Sequence, residues 1–341
     1  MSRVTGTAPR PPALTALLRR YDFGTPQTCE RVPRGLLNRG WMISTGKGRF
    51  FLKEYLAADT ADPGVILRQH RATRRLARLG LPAEAPLPTT DGETVVVAGG
   101  RGHALFRWVE GRHREGTELS VGQSRRLGAL LGRVHTALAD VQPPPPASDH
   151  PSADPERTHT HIDRLLTLVR GHRPRDAFDA LAEQRLLERR TLLRQYAHRR
   201  PPAAAGQVSG WVHGDFHPLN LLYRGEEPAA IVDWDRLGVR PRAEEAVRAA
   251  VIFFVHPVDG SLDLRKVRAY ARAYREAAGI AAGEMAGAVH RVWWERLNDF
   301  WMLDWRYRHR DRRSDPLFPA AAALAVWWTH EYGRVREAFT G

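Results

Sequence analysis

The stretch from Trp211 to Asp235 constrains this 341-residue chain most. Trp211-Val212-His213 reads as a short apolar strand that delivers Gly214-Asp215 into a loop. Asn220 follows Asp215 by five residues, and a second apolar run, Ala229-Ala230-Ile231-Val232, delivers Asp233 thirteen residues after Asn220. Asx turns would account for Asp215 or Asn220 singly, but not for their spacing or for the second aspartate. A carboxylate at the end of that strand is expected to stand buried and, without a metal, unpaired, which is costly.

Phosphoryl transfer uses parts of this kind. One carboxylate orients the attacking hydroxyl and accepts its proton, and hard oxygen ligands hold magnesium on the phosphates. His-Gly-Asp, four residues, Asn, and then Ile-Val-Asp-Trp resemble the aminoglycoside phosphotransferase and choline-kinase superfamily, small-molecule relatives of the protein kinases. The resemblance runs from about Gly35 to about Arg306 and is sharp only in the catalytic stretch. It implies an α+β, protein-kinase-like two-lobe fold: a small, mostly antiparallel N-terminal sheet with one helix, then a larger, mainly helical lobe. It also implies ATP and Mg2+ as cofactors, Asp215 as catalytic base, Asn220 and Asp233 as magnesium ligands, and His213 as a buttress of the loop. Asp235 is a further candidate for metal or substrate contact, with a helix cap or an arginine partner as the plainer alternative.

Hydrophobic periodicity agrees with that layout. A tail with a short helix is expected over 1–30, a nucleotide-binding lobe over 31–109, and a helical lobe carrying the catalytic loop over 110–341. Trp41–Ser44 and Phe50–Tyr55 read as two strands around the turn Thr45-Gly46-Lys47-Gly48. A helix follows from Asp62, the N-cap, and Pro63 to Gly80. Strands are expected over Glu93–Ala98 and His103–Val109, and helices over 162–170, 178–199, 242–256, 264–278, 284–309 and 320–338. His135, on the apolar face of one helix, reads as a core histidine.

Lys53 falls on the third strand, where kinase-like folds place a lysine on the nucleotide phosphates. It is one of three lysines in a chain whose cations are otherwise arginine. By the resemblance, Gly35-Leu36-Leu37-Asn38 would cover the phosphates, which makes Gly35 and Asn38 cofactor-binding candidates. The connector Phe106–Glu110, centred on Trp108, would meet the adenine through its backbone. One departure stands out: the helix after Lys53 has no glutamate, and Gln69 falls where one is expected to pair with that lysine.

Glu295 and Asp299 share a helix face near Trp301, a combination that suits a cationic ligand, although pairing with Arg291, Arg296 and Arg306 is the simpler expectation. The formal net charge of +14 suits an anionic ligand such as ATP and argues mildly against polycations. The arginines are spread through amphipathic helices, so nucleic-acid binding is a minor expectation. A single cysteine, Cys29, excludes an intrachain disulfide and cysteine metal clusters. No run of about 18 apolar residues suggests a membrane span. Met1–Pro12 lacks the apolar core of a secretory leader, so a cytoplasmic location is expected. The resulting expectation is a kinase acting on a small hydroxylated molecule. Aminoglycoside-like acceptors come first; homoserine, choline-like and sugar acceptors follow. A catalytically weak nucleotide-binding relative and a basic nucleic-acid-binding protein are the rival classes.

Overall fold

The structure is a computed structural model that describes residues 16–32, 38–56, 62–141, 151–202 and 209–341. Its first sheet grows from a hairpin. Strands β2 (Arg39–Thr45) and β3 (Gly48–Glu54) pair antiparallel, with Gly40 opposite Lys53 and Thr45 opposite Gly48. Gly48 takes φ +123°, which a glycine adopts without steric cost. β1 (Pro26–Val32) lies on β2, while β6 (Arg101–Arg107) lies on β3 and carries β4 (Pro86–Leu87) and β5 (Val96–Ala98). Every pairing is antiparallel. Because β1 starts at Pro26, the strand takes in residues the sequence reading left in the tail.

Period-two alternation divides β3 between two faces. Phe50 and Leu52 join Ile43, Val96 and Leu105 in a core closed by Leu17, Leu18, Tyr21 and Phe23. On the other face Tyr55 packs with Ala104 and Ile66, and Lys53 shares that face. Ile66 belongs to helix α1 (Pro63–Arg78), whose N-cap Asp62 accepts from the amides of Gly64 and Val65. Its buried residues Ile66, Gln69, His70, Thr73 and Leu76 recur at helical spacing. A second hairpin, β8 (Leu221–Arg224) and β9 (Glu227–Ile231), pairs Leu221 with Ile231.

Contacts divide the described residues into two units. The first holds those up to His113, those within 137–143, and His213–Gly238; the second holds the rest. The segment 213–238, expected with the helical lobe, thus groups with the sheet. The second unit is helical: α2 (Val121–Val141, shared with the first), α3 (Pro155–Gly171), α4 (Ala177–Tyr196), α5 (Arg242–Phe253), α6 (Leu264–Ala278), α7 (Ala282–Asn298), α8 (Trp301–Tyr307), α9 (Phe318–His330) and α10 (Tyr332–Thr340), with β7 (Ser209–Val212) paired to β10 (Gly238–Pro241). Gly128 lets α2 approach α6, since a Cβ there would stand 2.1 Å from Tyr270 O. His135 is fully buried between Tyr274 Oη (3.0 Å) and Glu245 Oε2 (2.7 Å).

The helix expected over 284–309 is two helices. Asp299 leaves helical geometry, and its carboxylate accepts from Trp301 N at 3.0 Å, a local side-chain bond that competes with helix continuation. The helix expected over 320–338 likewise breaks at Glu331.

Candidate active site

Gly214 sets the loop that carries Asp215. It adopts φ +85°, and a Cβ there would stand 2.1 Å from Arg236 O, so only glycine fits the turn. Buried His213 then ties the two halves of the motif together. Its Nδ1 accepts from Asp215 N at 3.2 Å, and its Nε2 donates to Val232 O at 3.0 Å. One acceptor and one donor define the neutral imidazole protonated on Nε2. Asn220 Nδ2 donates to Asp215 O at 2.8 Å, and Val232 N donates to Asn220 O at 2.9 Å. One hydrogen-bonded unit therefore fixes Asp215, Asn220 and the residue before Asp233. Asp233 itself sits in the left-handed region at φ 60°, ψ 66°, a conformation that costs roughly 1 kcal/mol or more outside glycine and that aspartate tolerates better than most residues.

The Asp215 side chain is 41% exposed. Its Oδ2 lies 3.6 Å from His217 Nε2 and 3.8 Å from Arg236 Nε. Burial pushes its pKa up, but the neighbouring His217 and the charge of Arg236 outweigh this and hold it below the usual aspartate value. Asp215 is a carboxylate at neutral pH. His217 and Arg236 were not singled out from the sequence; His217 lies inside the motif, two residues past Asp215, where its histidine type alone pointed to no role.

Lys53 Nζ donates to Asp233 Oδ1 at 2.7 Å and to Asp235 Oδ1 at 2.6 Å, and it lies 5.2 Å from the Tyr55 ring centroid. Burial alone would lower the lysine pKa, but the two carboxylates raise it above its ordinary value. The aspartates differ. Asp235 has an 8% exposed side chain, and burial pushes it up to about 6 against the pull of Lys53. Asn38 Nδ2 donates to its Oδ2, and Gln69 Nε2 donates to its backbone oxygen at 2.9 Å. Asp233 has a 49% exposed side chain, and Lys53 outweighs burial and keeps it below its usual value. The expectation of a buried, unpaired Asp233 is therefore corrected: the strand ends before it, the left-handed turn opens one side to solvent, and Lys53 pairs with it.

The remaining candidates fall as follows. Gly35 lies outside the described residues. Asn38 is committed to Asp235 and to Leu56 N, which donates to its Oδ1 at 2.9 Å, so its side chain supports the lysine's counter-ion. Gln69 reaches the Asp235 backbone. Trp108 N donates to Arg49 O at 3.0 Å, continuing the β3–β6 ladder, so that amide is already occupied. Glu295, Asp299 and Trp301 belong to the second unit. There Glu295 accepts two bonds from Arg248 Nε, at 2.8 and 3.1 Å, which neutralises it.

Among the described residues, no group of three His, Cys, Asp or Glu side chains is placed to hold a metal. The donor set of Asp233 and Asn220 nevertheless fits Mg2+, which takes one or two protein oxygens and completes its shell with phosphate and water. Binding of the Asn220 amide nitrogen to Asp215 O leaves Oδ1 as that side chain's ligand atom. No helix of the described residues is long and apolar enough to cross a membrane.

A family model described as a phosphotransferase enzyme family matches residues 28–280. A homoserine kinase of Burkholderia mallei is 26% identical over 306 residues, covering 84% of this chain and 85% of its own. A homoserine kinase of Rhodopseudomonas palustris is 24% identical over 304 residues, covering 84% of each. Similar solved structures include a spectinomycin phosphotransferase with ADP and spectinomycin (TM-score 0.63, 13% identity, 94% of this chain and 98% of that one). An amicoumacin kinase with AMP-PNP and Ca2+ gives a TM-score of 0.61 at 17% identity, over 95% and 92% of the chains. A microcompartment-associated aminopropanol kinase gives 0.59 at 18%, over 96% and 98%. The fold is thus protein-kinase-like, and the chain belongs to the phosphotransferase enzyme family, kinases that phosphorylate hydroxyl groups of small molecules.

Proposed function

We propose that this kinase transfers the γ-phosphate of ATP to the hydroxyl of a small amino acid or amino alcohol of homoserine size. The observation that carries this reading is the bonded unit of Asp215, Asn220 and Val232 locked by His213, with Asp233 next in the chain and bonded to Lys53. Asp215, ionised at neutral pH, orients the acceptor hydroxyl and takes its proton. The acceptor oxygen forms a bond to the γ-phosphorus as the bond to the β,γ-bridging oxygen breaks, and ADP leaves. Bound Mg2+ supplies charge neutralisation on the phosphates, and Asp233 and Asn220 would hold it. Lys53 steadies the phosphates as a point charge. Asp235 supplies the counter-charge that the glutamate-free helix does not, which supports an active enzyme over a weak one.

The homoserine kinase relatives, matched over most of both chains, support the acceptor class. An aminoglycoside polycation is less well served, because Glu295 is neutralised by Arg248. The test is acceptor-dependent ADP release with Mg-ATP across homoserine, aminopropanol, choline, sugars and aminoglycosides, with the phosphorylated product identified by mass. Homoserine or aminopropanol should turn over best. A preference for an aminoglycoside would overturn the acceptor, and ADP release independent of every acceptor would overturn the reaction.

A further inference from the structure

Two basic side chains flank the half-exposed Asp215 carboxylate, His217 at 3.6 Å and Arg236 at 3.8 Å, and they differ in what else holds them. His217 is bound into the loop. Leu219 N donates to its Nδ1 at 3.2 Å, and its Nε2 lies 3.2 Å from Asn220 Nδ2. Arg236 is held by its backbone. Its carbonyl oxygen packs on Gly214, where a Cβ would stand 2.1 Å from it, while the side chain beyond is 52% exposed. Among the described residues its guanidinium approaches one carboxylate, that of Asp215, and does so through Nε. Both terminal nitrogens are left without a hydrogen-bond partner among those residues.

The turn Trp234–Arg236 sends two consecutive side chains to different tasks. Asp235 pairs with Lys53 at 2.6 Å, whereas Arg236 turns to Asp215. In the proposed reaction the lysine serves the nucleotide phosphates and Asp215 serves the acceptor hydroxyl. Arg236 is therefore the cation on the acceptor's side. With Nε turned to Asp215, the free edge of the guanidinium is its pair of terminal nitrogens, the fork that takes a carboxylate in bidentate geometry. In homoserine the carboxylate stands a few bonds from the hydroxyl, and in Arg236 the fork stands a bond or two from Nε. An acceptor whose hydroxyl donates to Asp215 can thus rest its carboxylate on Arg236.

We propose that Arg236 is the specificity residue of the acceptor site: it pairs with the acceptor's carboxylate and selects hydroxy amino acids over amino alcohols. The inference rests on the phosphotransfer reading above and narrows its acceptor class.

The test compares L-homoserine with the straight-chain aminopropanol that is homoserine without its carboxylate, each as acceptor with Mg-ATP. Wild type should favour homoserine in kcat/KM by about tenfold or more, the worth of one charge-assisted pair. Arg236→Gln should remove most of that preference, chiefly by raising KM for homoserine. Arg236→Lys keeps the charge without the fork and should retain part of it. Losing a cation beside Asp215 acts on both acceptors alike, so the ratio between them cancels that effect. The backbone oxygen that packs on Gly214 survives both substitutions, and melting curves check that the variants fold. A ratio that Arg236→Gln leaves unchanged overturns the inference while the phosphotransfer reading stands, and so does a wild type indifferent to the carboxylate. ADP release that depends on neither acceptor overturns the reaction itself, and the inference with it.

Discussion

Lys53 Nζ donates to Asp235 Oδ1 at 2.6 Å, and both side chains are at most a tenth exposed. Asp235 is held in turn by Asn38 and, through its backbone, by Gln69. The lysine's second partner, Asp233, is half-exposed and free on one side to meet a cation. In the proposed reaction Asp235 stays with the lysine while Asp233 would hold the magnesium. Asp235→Asn should therefore raise KM for ATP by about tenfold and lower kcat less. Adding Gln69→Glu returns a carboxylate to the same corner and should recover part of the loss. Steady-state kinetics of the single and double variants check this; unchanged KM in Asp235→Asn would leave Asp235 as a packing residue.

Asp233→Ala removes one of the lysine's two counter-charges from a half-exposed position. Such pairs contribute about 1 kcal/mol or less, so the free protein should melt within a few degrees of wild type. The magnesium-ATP-induced rise in Tm should shrink strongly, because ligand stabilisation follows affinity. Melting curves with and without magnesium-ATP separate the two quantities. A large loss of intrinsic stability with a wild-type ligand shift would make Asp233 a structural residue.

Asp215→Asn keeps the shape of the loop, since Asp215 N and O make the bonds to His213 and Asn220, and it removes the proposed proton acceptor. Turnover should fall by about 10²–10⁴ with little change in nucleotide affinity. The mutant rate is read in single-turnover assays beside a nucleotide binding titration. A rate near wild type would mean that the proton leaves by another route.

The strand–loop–strand that carries Asp215, Asn220 and Asp233 was legible because its residue types and spacing lie within 25 residues. The Lys53 strand was legible because alternation placed a rare lysine on an apolar strand. Pairings that join distant segments were not. Asn38 lies 197 residues from Asp235, and Gln69 lies 166 from it. The sequence reading therefore gave Asn38 to the phosphates and looked for the lysine's partner on α1. The break at Asp299 was missed for a local reason: an apolar helical period runs through it, and a single side-chain bond to Trp301 N overrides that period. Glu84 carried no signal at all, because its burial arises from the path of residues 82–87 between β9 and β6.

That glutamate sets the last expectation. Ala83 bridges Ile231 and Pro86 pairs with Phe106, which confines Glu84 beside the end of β6. Burial pushes its carboxyl up to about 7 from 4.5, against the opposing effects of the Arg107 amide and guanidinium. A folded-state pKa above the unfolded one means that the folded protein binds the proton more tightly. The stabilisation is complete below pH 4.5 and is lost as pH rises through 7. At about 1.4 kcal/mol per pH unit, the window is worth at most about 3.5 kcal/mol. Glu84→Gln keeps an oxygen to accept from Arg107 N and removes the charge. Its Tm relative to wild type should therefore be higher at pH 8 than at pH 5. Melting both proteins at the two pH values tests this, and an equal difference at both would show that Glu84 ionises without cost where it stands.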